Sequence, residues 1–255
     1  MPKASDAAKG GDEAAFGRWS DPVLLLGLMA VWLAIAIVFN GEPEIDVGVS
    51  GWFFSPEACA DGTARLVCGS FPLSASGSWG TLRNIFHYLP MVCAIVVAVL
   101  LARDLMAGRG IAAPRPLRIT AALAALALGP GLLVNAFLKE WWGRPRPSAT
   151  DLFGGDLPFV PAGQWSDACS SNCSFVSGEA STIFWLVCLI PLLPARWRAS
   201  GGAAIIIAAS LGALLRVAFG GHYLSDVVLG GLSTVVVFSA VACLADWWVA
   251  RKRVV

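Results

Sequence analysis

The chain has 255 residues, of which 57% are hydrophobic and only 14% are charged, and its mean hydropathy is +0.71. This composition is too apolar for an ordinary soluble domain, and the formal net charge of +1 argues against nucleic-acid binding. A helix needs about 20 mostly apolar residues to span a bilayer, and runs of that kind recur along the chain. We therefore expect an all-α membrane protein.

Six apolar runs divide the chain, at about 23–39, 85–102, 119–138, 177–193, 202–219 and 227–245. They predict a six-transmembrane-helix bundle over residues 22–250, with outer loops at 40–84 and 139–176, a disordered tail at 1–21 and a basic tail at 251–255. An even number of spans places both termini on the same side. Two details are also expected: a kink or close helix packing at Gly129-Pro130-Gly131, and a short amphipathic helix around 151–161.

The basic residues orient this bundle, because lysine and arginine concentrate in cytoplasmic segments. If the termini are cytoplasmic, twelve basic residues fall on that side: Lys3, Lys9, Arg18, Arg103, Arg109, Arg115, Arg118, Arg196, Arg198, Arg251, Lys252 and Arg253. The other side then has only six: Arg65, Arg83, Lys139, Arg144, Arg146 and Arg216. We therefore expect cytoplasmic termini in a bacterial inner membrane, with the opposite side facing the periplasm.

The seven cysteines agree with this topology. Three fall inside predicted helices: Cys93, Cys188 and Cys243. The other four fall in the two outer loops, where an oxidising compartment favours two local disulfides, Cys59–Cys68 and Cys169–Cys173. Free thiols or bridges between the loops are the alternative, since four cysteines allow three pairings.

Three polar segments fall at the outer ends of the third to sixth runs. They are Lys139-Glu-Trp-Trp-Gly-Arg144-Pro-Arg146-Pro147, Phe175-Val-Ser177-Gly178-Glu179-Ala-Ser and Arg216-Val-Ala-Phe-Gly-Gly-His222-Tyr-Leu-Ser-Asp226. Guanidinium groups match phosphate oxygens, and a serine and glycine at a helix start can bind an anion. If the residues after Gly221 are helical, Asp226 shares a face with His222 and can orient its ring. Singly these residues suit lipid anchoring or helix capping, but together they predict a phosphate site.

The three segments resemble the three-part motif of the type 2 phosphatidic acid phosphatase (PAP2) superfamily. That motif is a lysine separated by six residues from Arg-Pro, then Pro-Ser-Gly-His, then Ser-Arg, five residues, a histidine, three residues and an aspartate. The matching residues here are Lys139, Arg146-Pro147, Ser177-Gly178, Arg216, His222 and Asp226. The resemblance covers about residues 80–245, and the first and third parts together are specific.

The resemblance implies a membrane-embedded phosphatase that acts on lipid phosphates and needs no metal or other cofactor. His222 would attack phosphorus and form a phosphohistidine, with Asp226 orienting its ring. The phosphate-binding groups would be Lys139, Arg146, Ser177, Gly178 and Arg216. These roles suit phosphoryl transfer, which depends on positioning and charge stabilisation. Candidate substrates in the family are lipid A, undecaprenyl diphosphate, phosphatidylglycerophosphate and phosphatidic acid.

The chain departs from the family pattern at three positions. Val176 and Leu215 stand where the family has proline and serine, and these changes would tune the site. Glu179 stands where the family has a second histidine, which protonates the leaving alkoxide and then activates water. A buried glutamate can do this work, although nearby cations oppose it. We hypothesise that Glu179 keeps an acid/base or water-positioning role. The chain's other histidine, His87, is an alternative proton donor, although an interfacial histidine packed between helices is the simpler interpretation of that residue.

Two other functions suit the same scaffold. A phosphotransferase would pass the phosphoryl group from His222 to a second lipid instead of water. A non-catalytic member would bind lipid phosphate without turnover, having lost its acid at Glu179. In each case the partners are a phosphorylated lipid and the surrounding membrane lipids, and the apolar residues around the site leave the lipid tails in the bilayer.

Overall fold

The structure is a computed structural model that describes residues 15–62 and 65–254, with side chains as far as residue 252. Most of the predicted N-terminal tail, including Lys3 and Lys9, lies outside the described residues. Its last part, from Ala15, is packed rather than disordered. Phe16 is buried, with its ring 6.2 Å from that of Phe238, because the last helix offers an apolar surface.

Helices dominate the described part of the chain. They are α1 (Pro22–Gly41), α2 (Glu44–Gly51), α3 (Pro72–Ala75), α4 (Gly77–Met106), α5 (Pro114–Trp141), α6 (Gly178–Leu192), α7 (Arg198–Ala218) and α8 (Leu224–Val254). Short 3-10 turns lie at Gly17–Ser20, Pro147–Ala149, Asp151–Phe153 and Ala195–Trp197. Two strands, β1 (Ser55–Glu57) and β2 (Cys68–Ser70), pair antiparallel with Ser55 opposite Ser70.

Five of these helices are long and apolar enough to cross a membrane: α1, α4, α5, α7 and α8. The sixth predicted span, α6, is shorter, with α-helix over Gly178–Phe184 and 3-10 helix over Trp185–Leu192. The all-α membrane class is confirmed, while the count of six spans stays a prediction. Two boundaries differ: α4 begins at Gly77, before the predicted loop ends, and α8 runs through the predicted basic tail as far as Val254. Apolar runs miss such polar helix ends.

Contacts place the start of the described chain and the end of α8 at the same end of the bundle. Ala15 N donates to Asp246 Oδ1 at 3.2 Å, and Arg118 Nε donates to Ala15 O at 2.5 Å. Arg198 at the start of α7 donates to Pro191 O near the end of α6, at 3.4 Å. The starts of α6 and α8 therefore lie at the opposite end, where the outer loops are.

The third predicted run contains an irregularity where a kink was expected. Ala127–Leu138 forms a π-helix inside α5 and includes Pro130. Asn135 Nδ2 donates to Pro130 O at 2.7 Å, so a side chain compensates the disturbed backbone. Asn135 Oδ1 also approaches Gly178 so closely that any side chain there would collide. The irregular turn thus sets the start of α6 against α5.

The two outer loops pack on each other through aromatic rings. Phe54 and Phe71 from the first loop surround Phe153 from the second, with ring centroids 5.4 to 5.7 Å apart. The second loop contains only short 3-10 turns, so the amphipathic helix expected around 151–161 is not formed. The left-handed Gly154 (φ +81°) ends the turn before a helix can develop.

Both predicted disulfides are confirmed. Cys59 pairs with Cys68, and Cys169 pairs with Cys173, with Cα atoms 5.2 and 5.8 Å apart. The remaining cysteines are free thiols within α4, α6 and α8, as expected: Cys93, Cys188 and Cys243. The bridges close two local loops at the end of the bundle that carries the polar segments.

Candidate active site

His222 lies in the tight loop that joins α7 to α8. Gly220 has φ +64°, a left-handed conformation, and Phe71 packs where its side chain would be. The backbone N–H groups of Gly221 and His222 both donate to Arg216 O, at 3.0 and 3.2 Å. His222 is only 1% exposed. The loop therefore fixes the imidazole beside the last turn of α7.

Ser174 orients this imidazole. Its carbonyl oxygen lies 2.9 Å from His222 Nδ1, and its Oγ lies 3.4 Å from the same nitrogen. Because a carbonyl oxygen only accepts, Nδ1 carries the proton and Nε2 keeps a lone pair. Burial holds the pKa of the imidazole well below its usual range, and three cations lower it further: Arg216, Arg146 and Lys139. The ring is therefore neutral at neutral pH.

Asp226 reaches the imidazole through Ser174. Ser174 Oγ donates to Asp226 Oδ2 at 2.6 Å, and Tyr223 N donates to the same oxygen at 3.0 Å. The expected hydrogen bond between Asp226 and His222 is not formed among the described residues. The reason is local, because α8 begins only at Leu224 and His222 precedes it. The carboxylate, in the first turn, bends back to a free N–H at the helix start.

Arg144 is fully buried beneath this group. Its Nη1 donates to Asp226 Oδ1 at 2.8 Å, and its Nη2 donates to Asp46 Oδ2 at 2.9 Å. Nε donates to Val160 O at 2.7 Å, and the guanidinium carbon lies 4.2 Å from the centroid of the Tyr223 ring. One guanidinium therefore neutralises two buried carboxylates, with further hydrogen bonds that offset part of the cost of desolvation.

Asp46 joins this network from α2, in the first outer loop. Its carboxylate accepts from Ser225 N at 2.8 Å and from Ser225 Oγ at 2.5 Å. Sequence reasoning missed the contact because Asp46 and Arg144 are 98 residues apart. The sequence offered no clear signal, because Asp46 follows Glu42 and Glu44 in an acidic stretch and nothing there singles out one carboxylate for burial.

The three predicted phosphate-binding cations come together around His222. Arg146 donates from Nε and Nη2 to the main-chain and side-chain oxygens of Asn172, at 3.0 and 2.7 Å. The Arg216 side chain is only 8% exposed. Lys139 interacts electrostatically with both arginines. Because like charges held this close repel, an anion that enters between them is stabilised.

Ser177 caps α6, as the simpler interpretation of the sequence predicted. Its Oγ accepts from Ala180 N at 3.3 Å, and its own N–H donates to Asp226 O at 2.9 Å. Gly230 of α8 lies so near that a Cβ there would be 2.7 Å from Ser177 O. The start of α6, with Gly178, is therefore fixed beside Asp226 and its positive dipole end lies at the site.

Glu179 is held by cations. Arg83 of α4 donates to both of its carboxylate oxygens, from Nη2 to Oε1 and from Nε to Oε2, the latter at 3.2 Å. Arg216 Nε lies 3.4 Å and His87 Nδ1 lies 3.9 Å from Oε2. Sequence reasoning assigned Arg83 no role because Arg83 precedes the second apolar run, although it lies within α4.

The excess of positive charge around His222 suits the binding of an anion. Among residues 15–62 and 65–254, no group of three or more histidine, cysteine, aspartate or glutamate side chains could hold a metal ion. Reaction without a metal or other cofactor stays a prediction. The surplus of arginine and lysine around His222 suits a phosphate group.

Three named proteins from bacteria resemble the chain over most of its length. Proteins named lipid A 4′-phosphatase from Rhizobium etli and Rhizobium leguminosarum are each 43% identical to it, over 90% and 86% of this chain and 93% and 95% of their own. One of the same name from Francisella tularensis subsp. novicida is 34% identical over 82% of this chain and 89% of its own. No solved structure matches significantly.

A family comparison agrees with the motifs. The family model described as PAP2 superfamily matches residues 118–250, which contain all three polar segments. Asp46, Arg83 and His87 lie before the matched region, so the site draws on more of the chain than the family model covers. The family match, the named relatives and the cationic site all point to the same conclusion. The chain belongs to the PAP2 superfamily and is a membrane-bound phosphatase that hydrolyses lipid phosphate.

Proposed function

We propose that the chain removes the 4′-phosphate of lipid A at the periplasmic face of the bacterial inner membrane, through a phosphohistidine on His222. The observation that carries the proposal is the neutral, oriented imidazole of His222 surrounded by three cations. The two Rhizobium relatives, at 43% identity, favour lipid A over the other candidate substrates. These are undecaprenyl diphosphate, phosphatidylglycerophosphate and phosphatidic acid.

In the first step His222 Nε2 attacks the phosphorus, and the bond between phosphorus and the lipid oxygen breaks. Its lone pair is available because Nδ1 carries the proton that faces Ser174 O. Lys139, Arg146 and Arg216 stabilise the charge on the phosphoryl oxygens, as phosphoryl transfer requires. The hydroxyl of Ser177 and the N–H of Gly178, at the start of α6, add hydrogen bonds to the same oxygens.

Asp226 supports this step indirectly, through Ser174. When Nε2 bonds to phosphorus the imidazole becomes cationic, and the buried carboxylate on the far side of Ser174 stabilises that charge. Arg144 holds the carboxylate in place through its hydrogen bond to Oδ1. Asp226 is therefore a positioning residue that acts through Ser174.

Six spans rather than five are part of the proposal. α6 has seven α-helical and eight 3-10 residues, and since a 3-10 helix rises about 2.0 Å per residue its length is ~26 Å. A bilayer core is about 30 Å thick. α6 also starts beside Asp226 at the site and ends beside Arg198 at the opposite end. A crossing by α6 accounts for both contacts.

Charge and cysteine placement support a periplasmic site. The end of the bundle opposite to the site carries most of the described basic residues, such as Arg118 and Arg198, which suits the cytoplasm. At the site end Lys139, Arg146 and Arg216 surround His222. The two disulfides belong to this end, and disulfides persist in the periplasm. Both termini are then cytoplasmic.

A panel of lipid phosphates tests the proposal. The detergent-solubilised full-length protein and its His222→Ala variant would be incubated with lipid A and the three other candidates, and released phosphate would be measured. We expect phosphate release and a lipid A product without its 4′-phosphate, both lost in His222→Ala. Phosphate transferred to an acceptor lipid would instead identify a phosphotransferase. Binding without turnover would identify a non-catalytic member, and activity that survives His222→Ala would refute the nucleophile.

A further inference from the structure

The proposed reaction needs a group that moves protons. The alkoxide that leaves phosphorus must be protonated, and the water that later attacks phosphohistidine must lose a proton. Arginine cannot serve, because its guanidinium does not deprotonate in proteins. The Ser177 hydroxyl caps α6. Asp226 lies behind Ser174, on the Nδ1 side of the His222 ring. Among the other described groups at the site, Lys139, Glu179 and His87 are left.

Glu179 and Lys139 have other tasks in this geometry. The Glu179 carboxylate accepts two hydrogen bonds from Arg83, and Arg216 Nε lies 3.4 Å away. An ionised carboxylate held by two guanidinium groups has no proton to give. Lys139 is one of three cations around the imidazole of His222, and its charge serves the phosphoryl oxygens.

His87 is placed to do the work. Its Nδ1 lies 3.9 Å from Glu179 Oε2, and its side chain is 38% exposed on the surface of α4, so a substrate can approach it. An acceptor on the Nδ1 side of the ring favours the tautomer with its proton on Nδ1, so that Nε2 is the nitrogen that faces other partners. Catalytic contacts of this kind are often long before substrate binds. The ring also packs edge-on against Tyr88, with centroids 4.9 Å apart, which restricts its orientation.

We propose that His87 is the general acid and base of the reaction and that Glu179 is its positioning residue; this rests on the proposed function. As His222 Nε2 bonds to phosphorus, the bond between phosphorus and the lipid oxygen breaks and that oxygen takes the proton of His87 Nε2. Neutral His87 then takes a proton from water, whose oxygen bonds to phosphorus as the bond to His222 breaks. Inorganic phosphate leaves, and His87 is protonated again.

Leaving-group dependence tests this role. The purified full-length enzyme and its His87→Ala and His87→Gln variants would be assayed with lipid A and with p-nitrophenyl phosphate, whose phenolate leaves without a proton. Loss of a general acid lowers the rate with the lipid alkoxide by about 10²- to 10⁴-fold. With the aryl phosphate we expect a normal burst of nitrophenolate and then slow turnover, because water is no longer deprotonated.

Companion variants separate this inference from the proposed function. Lys252→Met, at the opposite end of the bundle, should behave as wild type. Glu179→Gln should show the same leaving-group dependence as the His87 variants with smaller losses, and Glu179→Asp should regain part of them. Full rates in both His87 variants beside an inactive His222→Ala overturn the role of His87 and leave the proposed function standing. Equal losses on both substrates without a burst also overturn it. If His222→Ala stays active, both proposals fail.

Discussion

The Ser174 hydroxyl donates to Asp226 Oδ2 at 2.6 Å, and both residues are fully buried. The main chain of Ser174 contacts the imidazole, because its carbonyl oxygen lies 2.9 Å from His222 Nδ1. One serine therefore connects the carboxylate to the imidazole. The order of the residues along this path decides what each substitution should do.

Ser174→Ala should lower kcat and leave KM nearly unchanged. It removes a hydrogen bond to a charged group, worth about 1.5–3 kcal/mol, and leaves the carbonyl contact to His222 free to shift. That energy corresponds to a loss of about 10- to 100-fold in kcat if the bond acts mainly in the transition state. Steady-state kinetics on a lipid phosphate measure both parameters.

Ser181→Ala is a matched control for this substitution. Ser181 is equally buried, and its hydroxyl lies 2.6 Å from Thr234 Oγ1, away from the imidazole. It should lower thermal stability and preserve kcat. If both variants lose activity in proportion to their stability, Ser174 has only a structural role.

The pH dependence of kcat/KM should report the neutral imidazole of His222. Burial and then the cations Arg216, Arg146 and Lys139 lower the pKa of His222. The acid limb assigned to it should therefore lie below about pH 6.5, the ordinary value for histidine. Lys139→Met removes one of the cations and should move the limb upward, whatever it does to the maximal rate. Lys252→Met, at the opposite end of the bundle, should not move it.

The lowered pKa of His222 also makes the stability of the folded protein depend on pH. The unfolded chain binds a proton at this histidine below about pH 6.5, while folded His222 does so only at lower pH. The contribution to stability is therefore complete above the unfolded pKa and is lost as the pH falls toward the folded pKa.

The kinetic prediction has a clear contradicting outcome. An acid limb of kcat/KM at or above pH 6.5, unchanged in Lys139→Met, would show that the limb does not belong to His222.

Motif spacing predicted which residues belong to the site, and local backbone geometry decided their contacts. Lys139, Arg146 and Arg216 were expected near His222, and they lie close enough to act on its charge. The contact expected between His222 and Asp226 depended on helix after Gly221. The helix starts three residues later, which no periodicity in the apolar run reveals.

Contacts between residues far apart in the chain could not be predicted from the sequence. Asp46 and Arg144 meet only because α2 folds over the start of α8, and no local pattern specifies that packing. Arg83 lies in the first turns of α4. These turns are polar, so a search for apolar runs does not include them. Disulfides were predictable for the opposite reason, since Cys169 and Cys173 are four residues apart.

Arg144→Gln should destabilise the protein strongly. It leaves Asp46 and Asp226 buried without their shared cation, and breaking a buried pair costs about 3–5 kcal/mol. Arg144→Lys should recover only part of the loss, because an ammonium cannot bridge two carboxylates as a planar fork does. Thermal unfolding in detergent gives the comparison. Arg65→Gln, which affects a solvent-exposed pair with Asp156, should change the unfolding temperature little.

Removal of the Cys169–Cys173 disulfide should weaken substrate binding. Arg146 donates to both the carbonyl and the side-chain oxygen of Asn172, which lies inside the four-residue bridge. Without the bridge this loop can move, and Arg146 loses the support that aims it. A loss of about 1.5 kcal/mol, typical of a hydrogen bond to a charged group, corresponds to about a tenfold rise in KM.

The double variant Cys169→Ala/Cys173→Ala would be compared with Cys59→Ala/Cys68→Ala in steady-state assays. The second bridge closes the hairpin of the first outer loop, whereas the side-chain hydrogen bonds of Arg146 go to Asn172 in the second loop. We therefore expect a raised KM only in the first variant, with kcat reduced less. A similar rise in both variants would mean that the bridges act on the outer loops as a whole. An unchanged KM in the first would mean that Arg146 is positioned without Asn172.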